Sequence, residues 1–359
     1  MGRPRRCGVP GPRTMWRSAE RTGTLTAEFA LDFGTGSTRI ADASGELLVE
    51  EPTVAAVNRD TGRVLAFGSE ALVLGARAAG RVSVRHPVRN GQLVDLGLVE
   101  GVLSEALRRA GASRISHPRV LLCTHIGATR VQNRALDRAV RRAGAKDVLF
   151  IAHPMACAIG AGIAIDEPTG SMVVDVGAGT TDVAVFALGG IVVSSSCAHG
   201  GDDLDEAVRS YLVRQRDLLL DREAAGAVTR ALGTIAPRPG AGELEVLGRD
   251  ARSGRPRSAT VTSVELKPLI EPIVAAMLNA AVRGITEAPP ELVNDLIGTG
   301  LLLAGGGGLL DGFDRRLAEL TGVPVHVAAG AGRCAVLGAA RCLELPDGLS
   351  YAVSVARIR

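Results

Sequence analysis

The chain has 359 residues, 46% of them apolar and 22% charged, which allows two domains and excludes a small disulfide-stapled or metal-clipped scaffold. Only two of its 41 basic residues are lysines, Lys146 and Lys267. Neither follows a glycine, so the chain has no Gly-Lys-Ser/Thr phosphate loop, and no Val-Ala-Ile-Lys kinase strand occurs.

Residues 1–24 are rich in Arg, Pro and Gly and read as a disordered basic tail. The net charge of +3 belongs to this end: residues 1–27 hold six arginines against Glu20, and the remainder is slightly acidic. With 6 Phe, 2 Tyr and 1 Trp, the chain offers neither a basic face nor a stacking platform, so no nucleic-acid partner is expected. Arg13, Arg17 and Arg21 with Met15 and Trp16 suggest contact with anionic lipid, whereas Pro4, Pro10 and Pro12 oppose a helix there.

From Leu25 onward strand-like and helix-like segments alternate, which indicates an α/β protein. Leu31 to Ile40 reads as strand, glycine turn and strand. Apolar residues spaced by three and four predict helices over Asp95–Ala110 and Thr129–Ala143, stopped by Gly111 and Gly144. Val148–Ile165 is apolar enough to raise a membrane span. His153 and Pro154 interrupt it, giving a buried strand (Val148–Ile151), a turn and a Gly/Ala-rich helix. A further helix is expected over Leu204–Leu220, and loops with a hairpin over Pro237–Ser258. Six cysteines without a Cys-x-x-Cys pair read as buried free thiols in a reducing compartment. The start has no apolar signal-peptide core, so a cytoplasmic location is expected. His86, His117, His199 and His326 are scattered without ligand spacing.

One repeat organises the chain. Leu31-Asp32-Phe33-Gly34-Thr35-Gly36-Ser37-Thr38-Arg39-Ile40 recurs as Val174-Asp175-Val176-Gly177-Ala178-Gly179-Thr180-Thr181-Asp182-Val183. This predicts two similar halves, each lending one turn to a shared cleft. Glycines there permit positive φ and bring N–H groups close to an anion, while Ser37 and Thr180 add hydroxyl donors. Asp32 and Asp175 would repel phosphate directly and would instead hold Mg²⁺ through water. A single such string is also what a plain β-hairpin gives; two in register favour phosphate binding. Leu301 to Leu310 runs from strand into Gly305, Gly306, Gly307 and Gly308, which suits a flat base and equally a flexible loop.

This order resembles the actin-like ATPase superfamily, and within it the bacterial MreB/Mbl family over about residues 28–345. Further matches are Pro118–Cys123 with Ile126–Thr129, Pro154-Met155-Ala156 with Ala158–Gly162, and Ser171–Asp175. Ser194–Ser196, Gly200-Gly201-Asp202, Asp205–Ala207 and Pro289–Leu292 continue it. The resemblance implies an α/β actin-like ATPase fold of two duplicated domains, in four subdomains around a nucleotide cleft. Subdomain IA would comprise residues 25–54, 88–167 and 337–359, and IB 55–87. Subdomain IIA would comprise 168–203 and 267–336, and IIB 204–266. It implies ATP and Mg²⁺ as cofactors and self-association into filaments. It also implies partners in cell-wall synthesis and cell shape, with contact at the inner membrane surface. By position, Gly34, Thr35, Gly36 and Ser37 would hold one side of the phosphates and Gly177, Ala178, Gly179 and Thr180 the other. Gly226, Thr229 and Gly305–Gly308 would meet the nucleoside.

The departures bear on activity. The family carries two glutamates before Pro-Met-Ala, the second orienting the attacking water; here they are Ala152 and His153. The family's lysine and glutamate near the ribose and base are Thr229 and Ala231, a phosphate-turn glycine is Ala178, and a proline is His125. The candidate catalytic positions are therefore His153 and Thr180, and nucleotide binding with slow or absent hydrolysis is expected. Alternatives are an active ATPase managed by His153, a metabolic phosphotransferase of the same fold, and a non-polymerising pseudo-ATPase adaptor. A chaperone is disfavoured because no peptide-binding domain follows.

Overall fold

The computed structural model describes residues 28–344 except 79, 113–116 and 236–241. The expected basic tail and its lipid contact, the last residues of the expected subdomain IA and part of the expected Pro237–Ser258 loop lie outside the described residues.

Two five-stranded sheets carry the architecture. The first is built from β1 (Glu28–Phe33), β2 (Ser37–Asp42), β3 (Leu47–Pro52), β4 (Arg119–Thr124) and β5 (Asp147–Ala152). The second is built from β6 (Ser171–Val176), β7 (Thr181–Ala187), β8 (Gly190–Cys197), β9 (Leu301–Ala304) and β10 (Val325–Val327). Their orders are β3-β2-β1-β4-β5 and β8-β7-β6-β9-β10. In both, the first three strands run antiparallel to their neighbours and the last two join in parallel. The repeated decapeptides form β1–β2 and β6–β7, so the sequence repeat is a repeat of whole sheets. β1 and β6 are central strands covered on both faces, which is why they read as continuous apolar runs.

Two smaller sheets project from these halves. One joins Ala55–Asn58, Val64–Phe67 and Val82–Arg85; the other joins Leu218–Leu219, Glu243–Asp250 and Pro256–Thr262. The latter pair is the expected hairpin.

The helices follow the capping chemistry. Leu96–Arg109 starts where the Asp95 carboxylate accepts from Leu98 N, and Arg130–Arg142 starts at a Thr129/Gln132 capping box. The helix expected over Leu204–Leu220 begins earlier, at Gly201, because the Asp203 carboxylate accepts from Gly200 N. It stops at Arg216, where Asp217 turns left-handed, and Leu218 enters a strand instead. The turn expected at His153-Pro154 does not form: β5 ends at Ala152 and the helix His153–Ala161 begins at once, with Pro154 in its first turn, where a missing N–H costs nothing.

That helix packs between the halves against Cys334–Glu344. The contact is backbone to backbone: a Cβ on Gly160 would lie 2.1 Å from the Cys334 carbonyl oxygen, and one on Gly338 would lie 1.8 Å from that of Ala156. The surrounding core draws Leu121 and Ile151 from the first sheet and Val173, Ala184 and Phe186 from the second. Among the described cysteines all five are free thiols, four of them buried. Ser263–Thr286 is long and apolar enough to cross a membrane by length and composition, yet it packs Ile270, Val274, Met277 and Leu278 into the core.

Candidate functional site

The tips of both hairpins meet at one cavity of about 840 Å³ between the halves. Each tip is a two-residue turn closed the same way, Gly34 N donating to Ser37 O at 2.9 Å and Gly177 N to Thr180 O at 2.8 Å. Both strings therefore form hairpin turns of the same construction.

The glycines serve a different purpose from the one expected. None of Gly34, Gly36, Gly177 and Gly179 has positive φ, and neither has Ala178, so no backbone strain arises there. Close approach is what demands them: a Cβ on Gly36 would sit 2.8 Å from the Ala178 methyl, and one on Gly179 would sit 2.5 Å from Thr35 Oγ1. Thr35 Oγ1 also accepts from Gly91 N at 3.1 Å, and Asn90 Nδ2 donates across to the Ala198 carbonyl at 3.3 Å. The two halves thus touch at the mouth of the two glycine turns.

The cavity is lined by Asp32, Gly34, Thr35, Gly36 and Ser37 from the first half and by Asp175, Gly177, Ala178, Gly179 and Thr180 from the second. His153, Gly226, Thr229, Gly305, Gly306 and Gly307 complete the expected set. Gly308 does not join them: it is buried, and a Cβ there would lie 2.9 Å from Leu303 Cδ1. Gly305 has φ +80° and a side chain there would also strike the Val176 carbonyl, so both features call for glycine, whereas Gly306 faces open space. Thr229, expected near the ribose, is buried and donates its hydroxyl to the Ala225 carbonyl of its own helix at 3.1 Å.

His153 is at the centre. Its Nδ1 lies 2.5 Å from Asp175 Oδ2 and its Nε2 lies 3.1 Å from Asp32 Oδ1. Ionised carboxylate oxygens only accept, so between two aspartates in that form both ring nitrogens donate, which is the hydrogen-bonding pattern of an imidazolium. Burial works against that charge, but the two aspartates outweigh it and hold the ring's pKa well above its ordinary value. Asp32 is likewise penalised by burial, yet His153 and Arg39 keep its carboxyl below the usual range. Arg39 Nη1 is 3.5 Å from Asp32 Oδ2, and Arg39 is tied in turn to Glu50, which Arg333 also grips.

The fit of a metal can be tested on these atoms. His153, Cys157 and Asp175 place ligand atoms within 4.8 Å of one another. Ligands at about 2.0–2.2 Å from a common Zn²⁺ or Mg²⁺ stand roughly 3 Å or more apart, so a 2.5 Å contact is a hydrogen bond rather than a shared coordination edge. With the ring lying between both carboxylates, these residues do not fit the expected water-mediated Mg²⁺. Asp175 Oδ1 is buried without a partner and lies against Gly305.

Charged residues the motif reading did not place in the cleft also line it: Arg39, His86, Asp202, Asp205, Arg222 and Arg230. Burial pushes Asp205 up to about 6, against the Thr229 hydroxyl, which favours its ionised form, and with the Asp202 carboxylate adding to the rise. Asp202 is raised by burial and paired with Arg222. Burial lowers His86 to about 4, helped by Arg222 and Arg89. His125 is half-buried, with both ring nitrogens shielded from solvent beside Gly91 and Gly127. The Asp205-Glu206-Ala207 string was one usable signal and Arg39, inside the first repeat, another; Arg222 and Arg230 left none.

The model of the MreB/Mbl protein family matches residues 26–350. The cell shape-determining protein MreB of Escherichia coli K12 is 36% identical over 331 residues, covering 90% of this chain and 95% of that relative. Mbl of Bacillus subtilis 168 is 35% identical over 323 residues, covering 90% and 97%. Among solved structures, MreB5 of Spiroplasma citri bound to ADP superposes with a TM-score of 0.80 at 25% identity, covering 88% and 95%; MreB5 has also been crystallised with AMPPNP. The MamK double helical filament gives 0.72 at 20% identity, covering 89% and 99%.

Proposed function

The chain belongs to the MreB/Mbl family of cell shape-determining, actin-like cytoskeletal proteins, and from that premise we propose that it binds ATP in the central cleft and assembles into filaments, with hydrolysis slow or absent. The observation that carries this reading is the meeting of two equivalent phosphate turns and the Gly305–Gly307 turn at one cavity of about 840 Å³, in the size range of small-molecule sites. The turns would hold the phosphates from both sides, with Gly226, Thr229, Gly305 and Gly306 toward the nucleoside. The nucleotide-bound MreB5 structures support the same ligand class.

Slow hydrolysis follows from the occupation of His153. A general base needs a free acceptor within reach of the attacking water. Both nitrogens of this ring already donate to aspartates, so neither can take a proton, and Thr180 is no base at neutral pH. A histidine-managed ATPase is therefore disfavoured. The division into four subdomains is proposed along the boundaries given above, supported by the two large sheets and the two small ones. Self-association is supported by the filament-forming neighbour, and partners in cell-wall synthesis, a cytoplasmic site and contact with the inner membrane face are proposed from the family.

Electron microscopy of purified protein with and without ATP, beside phosphate-release assays, tests this reading. Protofilaments with little phosphate release are expected. Turnover equal to that of a glutamate-bearing relative would overturn the hydrolysis argument. Nucleotide binding without any filaments would favour the adaptor alternative.

A further inference from the structure

We propose that His153 is the resident cation of this cleft, standing between Asp32 and Asp175 so that ATP binds without a divalent metal ion. The proposal rests on the nucleotide reading above and deepens it. Its basis is geometric. One imidazolium spans two carboxylates, one at the end of the central strand of each sheet, at 2.5 Å and 3.1 Å. Among the ion pairs of the described residues, His153 alone joins the aspartates of both Asp-x-Gly-x-Gly strings.

Charge counting leads to the same place. Two bare aspartates beside a triphosphate would repel it, and a divalent ion is the ordinary means of cancelling that repulsion. Here Asp32 has both His153 and Arg39 against it, and Asp175 has His153. Counting Glu50, which Arg39 and Arg333 share, three formal positive charges face three formal negative ones, so the attraction that would recruit Mg²⁺ is largely spent within the protein. The same balance removes the repulsion that would make metal-free ATP unwelcome. One carboxylate oxygen is left over, Asp175 Oδ1, packed against Gly305. A single wedged oxygen is a poor recruiter for an ion that prefers near-octahedral geometry with most of its waters retained.

The experiment is an ATP titration of the full-length protein by calorimetry, once in excess Mg²⁺ and once in excess EDTA, repeated for His153→Glu and His153→Gln. Wild type is expected to give dissociation constants that agree within about threefold in the two buffers, and His153→Glu to lose at least about tenfold in EDTA and recover it in Mg²⁺. A wild-type requirement for Mg²⁺ of about tenfold or more overturns the proposal. So does a folded His153→Glu variant that binds equally in both buffers. Should that variant not fold, the wild-type comparison decides alone, and His153→Gln, which keeps the size and removes the charge, supplies the second reading. ATP binding in neither buffer overturns the nucleotide reading itself, an outcome distinct from metal dependence.

Discussion

Replacing Asp205 by asparagine should stabilise the protein near neutral pH and do progressively less as the pH falls. Folding holds the Asp205 proton up to about pH 6, whereas an unfolded aspartate releases it near 3.8. Between those values the unfolded state binds fewer protons, so the wild type loses stability as pH rises through the window and levels off above it. A displacement of about two pKa units corresponds to roughly 3 kcal/mol, with about half of it reached at pH 5 and nearly all by pH 7. The causes are burial first, then the Asp202 carboxylate, opposed by the Thr229 hydroxyl and by Arg230 and Arg222. Asparagine removes the charge and keeps the shape. With an unfolding entropy of about 2.1 cal/mol/K per residue, a gain of that size raises Tm by roughly 4 °C at pH 7.5 and about half as much at pH 5. Thermal melts of both proteins without nucleotide, at the two pH values, make the comparison. A shift of equal size at both, or a lower Tm for Asp205→Asn at pH 7.5, would refute the argument that burial governs this carboxyl.

Three further outcomes are expected. Gly36→Ala drives a methyl to 2.8 Å from that of Ala178, so the two turns must part; ATP affinity should fall about tenfold while the melting temperature barely moves, and wild-type affinity would show that the close approach is dispensable. His153 has its folded pKa raised above the ordinary 6.5, so its stabilisation is fully present below about pH 6.5 and lost as pH climbs through the raised value. The Tm advantage of wild type over His153→Gln should therefore be largest near pH 6 and shrink on the alkaline side, and an advantage that grows with pH contradicts it. Phe150 is wholly buried in β5, and Phe150→Ala should cost about 3–5 kcal/mol in denaturant unfolding.

Local rules made much of the architecture readable in advance. The helices expected from Asp95 and from Thr129 form, each capped by that residue, and the two Asp-x-Gly-x-Gly strings announced a duplication that extends to strand order and direction. What sequence could not carry was contact between remote segments. His153 reads as a lost glutamate when only its neighbours are considered. Its role appears once Asp175, 22 residues away, and Asp32, 121 residues away, are brought to its two nitrogens. The turn glycines were expected to supply positive φ, but the constraint comes from the opposite half of the molecule, in Ala178, Thr35 and Asn90. The helix at Gly201 starts three residues early for a similar reason, since an N-terminus is decided by capping and not by the first apolar residue.

The close crossing of His153–Ala161 with Cys334–Glu344 has a mechanical consequence. Helices in contact through bare backbone cannot slide past each other without collision, so this crossing is a stiff axle on which the two sheets are mounted. His153 stands at the end of that axle and grips one strand tip from each sheet. A rotation that spread the mouth would have to release either Asp32 or Asp175, so the ring acts as a latch on the angle between the halves. In the filament proposed above, this fastening would hold each subunit in one shape.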